Sequence, residues 1–134
     1  MIVGTGVLFA AANRRDSSHA SCKGILESTA RLVIPALVVA EAAYLIGETL
    51  GPEAETAFIR SMSTDRYLVD GPTRGHLTRA ATLMSEYESL PLGATDATVL
   101  ALAERSNDRQ IAALDRPKRL FRKRAEWRTF LQVV

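Results

Sequence analysis

Short apolar runs alternate with longer segments of helical spacing along this chain. The apolar runs predict strands at residues 2–3, 31–34, 67–69 and 110–114, with 130–134 as a further candidate. Helical spacing predicts helices at 36–50, 52–63, 72–87 and 94–106, and Ser17 or Ser18 can cap an earlier helix carrying Cys22 and Leu26. This order predicts a parallel sheet of four or five strands with helices on both faces, a three-layer α/β/α fold.

Proline and glycine mark several of the predicted boundaries. Pro35 ends the second strand, Gly51 ends the helix that follows it, and Pro52 suits the first turn of the next helix. Pro72 marks the start of a long amphipathic helix. Its predicted apolar face consists of Leu77, Ala80, Leu83, Met84 and Tyr87.

Length and composition fit one globular domain spanning residues 1–134. Hydrophobic residues make up 47% of the 134-residue chain, which is enough for one packed core. No apolar stretch reaches the length of a membrane span, and Arg14, Arg15 and Asp16 cut short the apolar start, unlike a signal peptide. Cys22 is the only cysteine, so no internal disulfide is possible and a cytoplasmic location is expected.

Two glycines flank Thr5 where the first strand ends. A dinucleotide-binding loop needs glycine at the first, third and sixth positions, but Phe9 stands at the sixth after Gly4 and Gly6. No acidic residue follows the second strand to bind a ribose, and the Gly-Lys-Ser/Thr end of a phosphate-binding P-loop is absent. The sequence therefore gives little support to a nucleotide-binding loop.

Three carboxylates carry more information. Asp115 follows the strand at 110–114, Asp96 lies in the first turn of a helix, and Glu41 interrupts an apolar run and should face the core edge or a cleft. Each alone is explained by structure, as a turn residue, a helix-dipole partner or half of an ion pair. If they converge at the carboxyl edge of the sheet, they form an oxygen site suited to Mg²⁺ or Mn²⁺.

A basic run follows Asp115, although the net charge of the whole chain is only +2. Taken alone, this run is typical of a solvated surface. If it lies beside an acidic pocket, a phosphate-binding patch becomes the better interpretation. The two histidines show no zinc-ligand spacing, and surface positions are expected for His19 and His76. The basic residues are Arg116, Lys118, Arg119, Arg122, Lys123, Arg124 and Arg128.

The order of these motifs resembles the PIN-domain ribonucleases of the VapC type, the toxin half of a bacterial toxin–antitoxin pair. The matching stretches span nearly the whole chain. They read MIVxTGVL at residues 1–8, IPxxVxxExxYLI at 34–46, LGATDATV at 92–99 and IAxLDR at 111–116. The resemblance implies a PIN-like domain and an endoribonuclease that depends on Mg²⁺ or Mn²⁺.

The resemblance also implies one metal pocket built from acidic residues of four segments. Glu41, Asp96 and Asp115 match three of them, while Gly4 stands where the family has an aspartate after the first strand. Losing that carboxylate lowers the ligand count for the ion, so this chain is expected to cleave RNA poorly or not at all. The glycine is either engineered, which the three remaining acids favour, or a natural degeneration.

Partners follow from the same resemblance. A VapB-type antitoxin is expected to lay a helix into an apolar groove walled by helices around residues 36–62. Arg116, Lys118 and Arg119 are expected to guide the phosphates of folded tRNA or rRNA. A homodimer or a toxin–antitoxin hetero-oligomer is expected, with no membrane association.

Two other classes remain as alternatives. A non-catalytic PIN-fold protein would use the residual acidic pocket only to bind antitoxin or RNA. A receiver-like or nucleotide-binding α/β domain fits less well, because the chain has no acidic cluster after the first strand and no complete glycine fingerprint.

Overall fold

The structure is a computed structural model that describes residues 1–89, 92–106, 108 and 110–114, and the backbone of 131–133. Each of the first three strands is followed by two helices. In chain order they are β1 (Ile2–Val3), α1 (Thr5–Ala12), α2 (His19–Ser28), β2 (Leu32–Pro35), α3 (Ala36–Leu50), α4 (Pro52–Met62), β3 (Tyr67–Asp70), α5 (Arg74–Glu86), α6 (Ala94–Ser106), β4 (Ile111–Ala113) and β5 (Leu131–Val133).

The strands form one sheet in the order β3-β2-β1-β4-β5, and all four pairings are parallel. Successive side chains of a strand point to opposite faces, and Ile2 and Val3 are both 0% exposed. Both faces of the central strand are therefore covered. This confirms the predicted three-layer α/β/α arrangement with a parallel sheet, including the strand expected near the end of the chain.

Most predicted element boundaries agree with the structure within one or two residues. Helix α3 begins directly after Pro35 and ends at Leu50, where Gly51 adopts a φ of 96° that favours glycine. Helix α5 begins at Arg74, two residues after Pro72, because the Thr73 hydroxyl accepts a hydrogen bond from the His76 backbone N–H and caps the helix. In the described part of the chain, no helix is long and apolar enough to cross a membrane.

The predicted apolar face of α5 is partly wrong. Leu77 and Met84 are exposed, whereas His76, Ala80 and Leu83 are buried. The predicted and observed faces share Ala80 and Leu83, and the observed face is rotated toward His76. Burial of His76 is possible because its Nε2 lies 2.8 Å from the Thr98 carbonyl oxygen on α6, so the surface position expected for His76 is also wrong.

The amino group of Met1 is held at the opposite end of β1 from Gly4. It lies 2.9 Å from Oδ2 of Asp108 and donates a hydrogen bond to the Arg31 carbonyl oxygen at 3.1 Å. Burial opposes ionisation of Asp108, but the Met1 ammonium and the backbone N–H of Gln110 bind the carboxylate and outweigh that effect. The net result is a pKa for Asp108 below its usual range.

Asp108→Asn is therefore expected to lower the free energy of unfolding by about 1 kcal/mol at pH 7, since the pair is partly exposed. Because the folded state depresses the pKa of Asp108, its contribution is complete above an unfolded pKa of about 3.9. It is lost as the pH falls through the lower folded value. Urea unfolding at neutral and strongly acidic pH measures the difference. The exposed Asp65→Asn is the control, and an Asp108 effect that persists in acid would contradict this account.

Candidate functional site

Gly4 lies at the carboxyl edge of the sheet, between two neighbouring strands. Val3 pairs with Ala112 of β4, and the Gly4 N–H donates a hydrogen bond to the Ala112 carbonyl oxygen at 2.9 Å. On the other side, Ile2 pairs with Val33 of β2. The chain therefore leaves β1 at the edge where α/β folds bind ligands.

The structure brings Glu41 to the segment that carries Asp96. The Thr95 hydroxyl donates a hydrogen bond to Oε2 of Glu41 at 2.7 Å, joining α3 to the first turn of α6. Asp96 is the next residue after Thr95 and is half-buried. Two of the three predicted acids thus belong to elements in direct contact.

Glu41 itself is exposed, so it does not lie at the core edge, and the alternative that it faces a cleft stays a prediction. Val38, Ala42 and Ile46 form the buried stripe of α3 and leave Glu41 on the outer side of the helix. Only its hydrogen bond with Thr95 ties the carboxylate back toward α6. The apolar residues on either side of Glu41 in the sequence therefore do not indicate the surroundings of its side chain.

Helix α6 places Asp96 at the start of a deeply buried segment. Every residue from 97 to 103 is buried. The first turn carries exposed backbone N–H groups and a partial positive charge, which favours a carboxylate at Asp96. The helix therefore fixes the backbone position of Asp96 firmly.

Gly4 has room for a side chain. Its backbone is extended, with φ −91° and ψ 166°, which any residue adopts. Among the described residues, a Cβ built there would meet only the Ala112 carbonyl oxygen, at 3.5 Å, which is ordinary van der Waals contact. Neither the backbone conformation nor packing against these described residues requires glycine at this position.

The two residues after Gly4 differ from it in their constraints. A Cβ on Gly6 would lie 3.1 Å from the Leu114 Cβ, so α1 packs closely against the end of β4 there. Gly4 occupies the N-cap position of α1 and makes no side-chain hydrogen bond. Among the described residues, the buried Thr5 hydroxyl oxygen has no hydrogen-bond partner.

The remaining predicted site residues, Asp115, Arg116, Lys118 and Arg119, lie outside the described residues. Within the part of the chain that is described, no three His, Cys, Asp or Glu side chains form a group able to hold a metal ion. Sequence reasoning gave Thr95 no role beyond starting a helix. Its place directly before Asp96 is the only signal in the sequence that marks it.

The donor chemistry nevertheless fits a hard divalent cation. Carboxylate and hydroxyl oxygens are the ligands that Mg²⁺ prefers, and Mg²⁺ commonly binds one or two carboxylates while keeping several waters. Glu41 and Asp96 supply carboxylates, and the unpartnered Thr5 hydroxyl follows Gly4 at the same edge. These residues would hold the ion, with a carboxylate at position 4 as the missing contribution.

A separate apolar groove lies between α1, α3 and α4. It has a volume of about 350 Å³ and continues to α2 and β3. Its lining has no charged residue and includes Ile46, Ala54 and Phe58 from the segment expected to form an antitoxin-binding wall. The other lining residues are Leu8, Ala11, Ala12, Leu26, Ala57, Ser61, Met62 and Tyr67.

Comparison with known proteins places the chain in a family. The PIN domain matches residues 1–125. Ribonuclease VapC26 of Mycobacterium tuberculosis (strain ATCC 25618 / H37Rv) is 31% identical over 117 residues, covering 87% of each chain. The crystal structure of Mycobacterium tuberculosis VapC20, described as a Sarcin-Ricin loop cleaving toxin, matches with a TM-score of 0.78. The match covers 82% of this chain and 85% of that chain at 19% sequence identity, and it supports the fold alone. The chain belongs to the PIN domain family, among the VapC-type ribonuclease toxins.

The contrast between the two glycines can be tested by substitution. Gly4→Asp is expected to change the free energy of unfolding by no more than about 1 kcal/mol, because aspartate is a good N-cap while nearby acids repel it. Gly6→Val is expected to lose about 1–3 kcal/mol through overpacking against Leu114. Urea unfolding of both variants at one pH provides the measurement, and a larger loss for Gly4→Asp would show that position 4 is sterically closed.

Proposed function

We propose that this chain is a divalent-metal-dependent endoribonuclease toxin whose metal pocket lacks one carboxylate, at Gly4. The observation that carries the proposal is the Thr95–Glu41 hydrogen bond, which joins Glu41 to the turn bearing Asp96. Gly4 opens onto the same carboxyl edge of the sheet with space for a side chain. Asp115 completes the proposed set of catalytic and metal-binding residues, together with Glu41 and Asp96.

The chemistry proposed is hydrolysis of an RNA phosphodiester. A bound Mg²⁺ or Mn²⁺ would activate water and offset the charge that develops on the phosphate oxygens. Glu41, Asp96 and Asp115 would hold that ion, and the Thr5 hydroxyl would donate to a carboxylate or to a phosphate oxygen. Arg116, Lys118 and Arg119 would contact flanking phosphates, which makes RNA binding sensitive to salt.

Folded RNA is the proposed substrate class, either transfer or ribosomal RNA. VapC20, which shares the fold, is described as cleaving the sarcin-ricin loop. That likeness concerns the fold, so folded RNA as the substrate class is part of the proposal, and no cleavage site follows from the comparison. The impairment follows from charge, since one carboxylate fewer weakens attraction for a divalent cation while it also reduces repulsion among the remaining acids.

A helical antitoxin is the proposed partner for the apolar groove. The groove is lined almost entirely by apolar side chains, which suits the apolar face of an amphipathic helix. Exposed apolar residues elsewhere, including Tyr44 and Leu77, support further association as a homodimer or a toxin–antitoxin hetero-oligomer. The antitoxin would be of the VapB type.

Restoring aspartate at position 4 tests the enzymatic proposal. Gly4→Asp is expected to cleave a total tRNA and rRNA pool in Mg²⁺ or Mn²⁺ about 100-fold faster than the Gly4 chain, because one charge-stabilising group in an active site is commonly worth 10²–10³ in rate. The uncharged Gly4→Asn and the double variant Gly4→Asp with Asp96→Asn are the matched controls. Gel analysis with equal amounts of folded protein measures the rates.

Two outcomes would contradict parts of this proposal. Equal cleavage by the Gly4 and Asp forms would show that Glu41, Asp96 and Asp115 suffice, and would remove the claim of impairment. No cleavage by either form would favour the non-catalytic alternative, a PIN-fold protein that only binds antitoxin or RNA.

The partner proposal is tested by Ala57→Arg, which places a charged side chain in the groove. Because Ala57 is exposed, folding should be retained while copurification with the cognate antitoxin falls at least about tenfold, since a buried unpaired charge is costly. Ile59→Arg on the same helix is the control, because Ile59 is 46% exposed and lies outside the groove lining. Equal loss of binding in both variants would indicate that the antitoxin does not bind specifically in the groove.

A further inference from the structure

We propose that Thr95 is a positioning residue that fixes the Glu41 carboxylate beside the Asp96 turn before any ion binds. This inference rests on the proposed metal-dependent function, and it adds a residue to which neither the family resemblance nor the acid pattern gives a role. Thr95 acts through Glu41, and no contact between Thr95 and the ion is required.

The contact has a defined direction and joins distant parts of the chain. The Thr95 Oγ1 lies 2.7 Å from Oε2 of Glu41, across 54 residues of sequence. An ionised carboxylate only accepts hydrogen bonds, so the hydroxyl is the donor. The bond is charge-assisted, and it leaves the other carboxylate oxygen of Glu41 available to a cation.

Glu41 needs such an anchor because of its own position. It is exposed on the outer side of α3, and a free glutamate side chain samples many rotamers. An ion that captured a free carboxylate would have to overcome that loss of rotamer freedom during binding. When Thr95 fixes the side chain in the folded protein, the ion meets a preorganised ligand.

Thr95 is itself held by a series of hydrogen bonds that leads into the core. The Thr98 hydroxyl donates to the Thr95 carbonyl oxygen at 2.7 Å, and Nε2 of His76 lies 2.8 Å from the Thr98 carbonyl oxygen. Thr98 is 1% exposed and His76 is 4% exposed. The first turn of α6 is therefore braced by α5, which gives Thr95 a rigid base from which to orient a mobile side chain.

A purely structural link between α3 and α6 is the competing explanation. These helices also lie next to each other elsewhere along their lengths, so a stability measurement alone would not separate the two roles. The discriminating readouts are the rotamer of Glu41 and the affinity for Mn²⁺. Neither the Glu41 rotamer nor the Mn²⁺ affinity should change if Thr95 serves only to link α3 to α6.

The experiment compares Thr95→Val, which keeps the shape and removes the hydroxyl, with Thr95→Ser, which keeps the hydroxyl. Both are made in the full chain and again with Gly4→Asp. Three-bond couplings in NMR spectra report the χ1 rotamer of Glu41 without metal, and Mn²⁺ titration followed by water proton relaxation gives the dissociation constant. Thermal unfolding confirms that all forms are folded.

A single Glu41 rotamer is expected in the parent chain and in Thr95→Ser, with averaging in Thr95→Val. In the Gly4→Asp background, Thr95→Val is expected to weaken Mn²⁺ binding about tenfold, at the low end for partners that orient metal ligands, while Thr95→Ser restores it. Averaged Glu41 rotamers in the parent chain, or equal Mn²⁺ affinity with and without the hydroxyl, would overturn the proposal. If Gly4→Asp binds no Mn²⁺, the metal-dependent function fails, and the rotamer comparison alone still decides whether Thr95 positions Glu41.

Discussion

The pairing of β1 with strands on both sides is the interaction on which the candidate site depends. β1 has only two residues, Ile2 and Val3, and both are fully buried. Once they are fixed between β2 and β4, the chain must leave the sheet at Gly4, where its N–H binds the Ala112 carbonyl oxygen. Helix α3 starts directly after β2, without a connecting loop, so Glu41 has a fixed distance along the helix from the same edge. The position of the proposed pocket is therefore a consequence of sheet topology.

Charge sets the second constraint on this edge. Carboxylates that approach one another repel, and each must find a compensating partner while no cation is bound. The Thr95 hydroxyl binds Glu41, and the amino end of α6 favours the charge of Asp96. These contacts lower the cost of placing two acids on adjoining helices. A carboxylate at position 4 would add to the repulsion while it raised the affinity of the proposed pocket for a cation, so the two effects would oppose each other at this position.

The sequence predicts features that depend on local chemistry and misses those set by distant contacts. Pro35 and Gly51 set the two ends of α3 through their own backbone preferences, so that helix is predictable. The buried face of α5 is not, because faces containing His76 or Leu77 share the same spacing. The choice depends on the Thr98 carbonyl, 22 residues away. The exposure of Glu41 and its bond to Thr95 depend likewise on how α3 meets α6. Among the candidate site residues, the sequence proposes the acids but does not indicate the Thr95 hydroxyl that binds one of them.

Gly4 and Gly6 show how fold and chemistry can be separated within one short segment. Gly6 faces Leu114 at a distance that leaves little room for a side chain, so packing explains its presence. Among the described residues, no such contact constrains Gly4, whose extended backbone also accepts other residues. A glycine that the backbone does not need removes a side chain without altering the scaffold. If the proposed pocket lies at this edge, the glycine changes what the edge can bind and leaves the fold intact, so membership of the family across residues 1–125 does not by itself imply full activity.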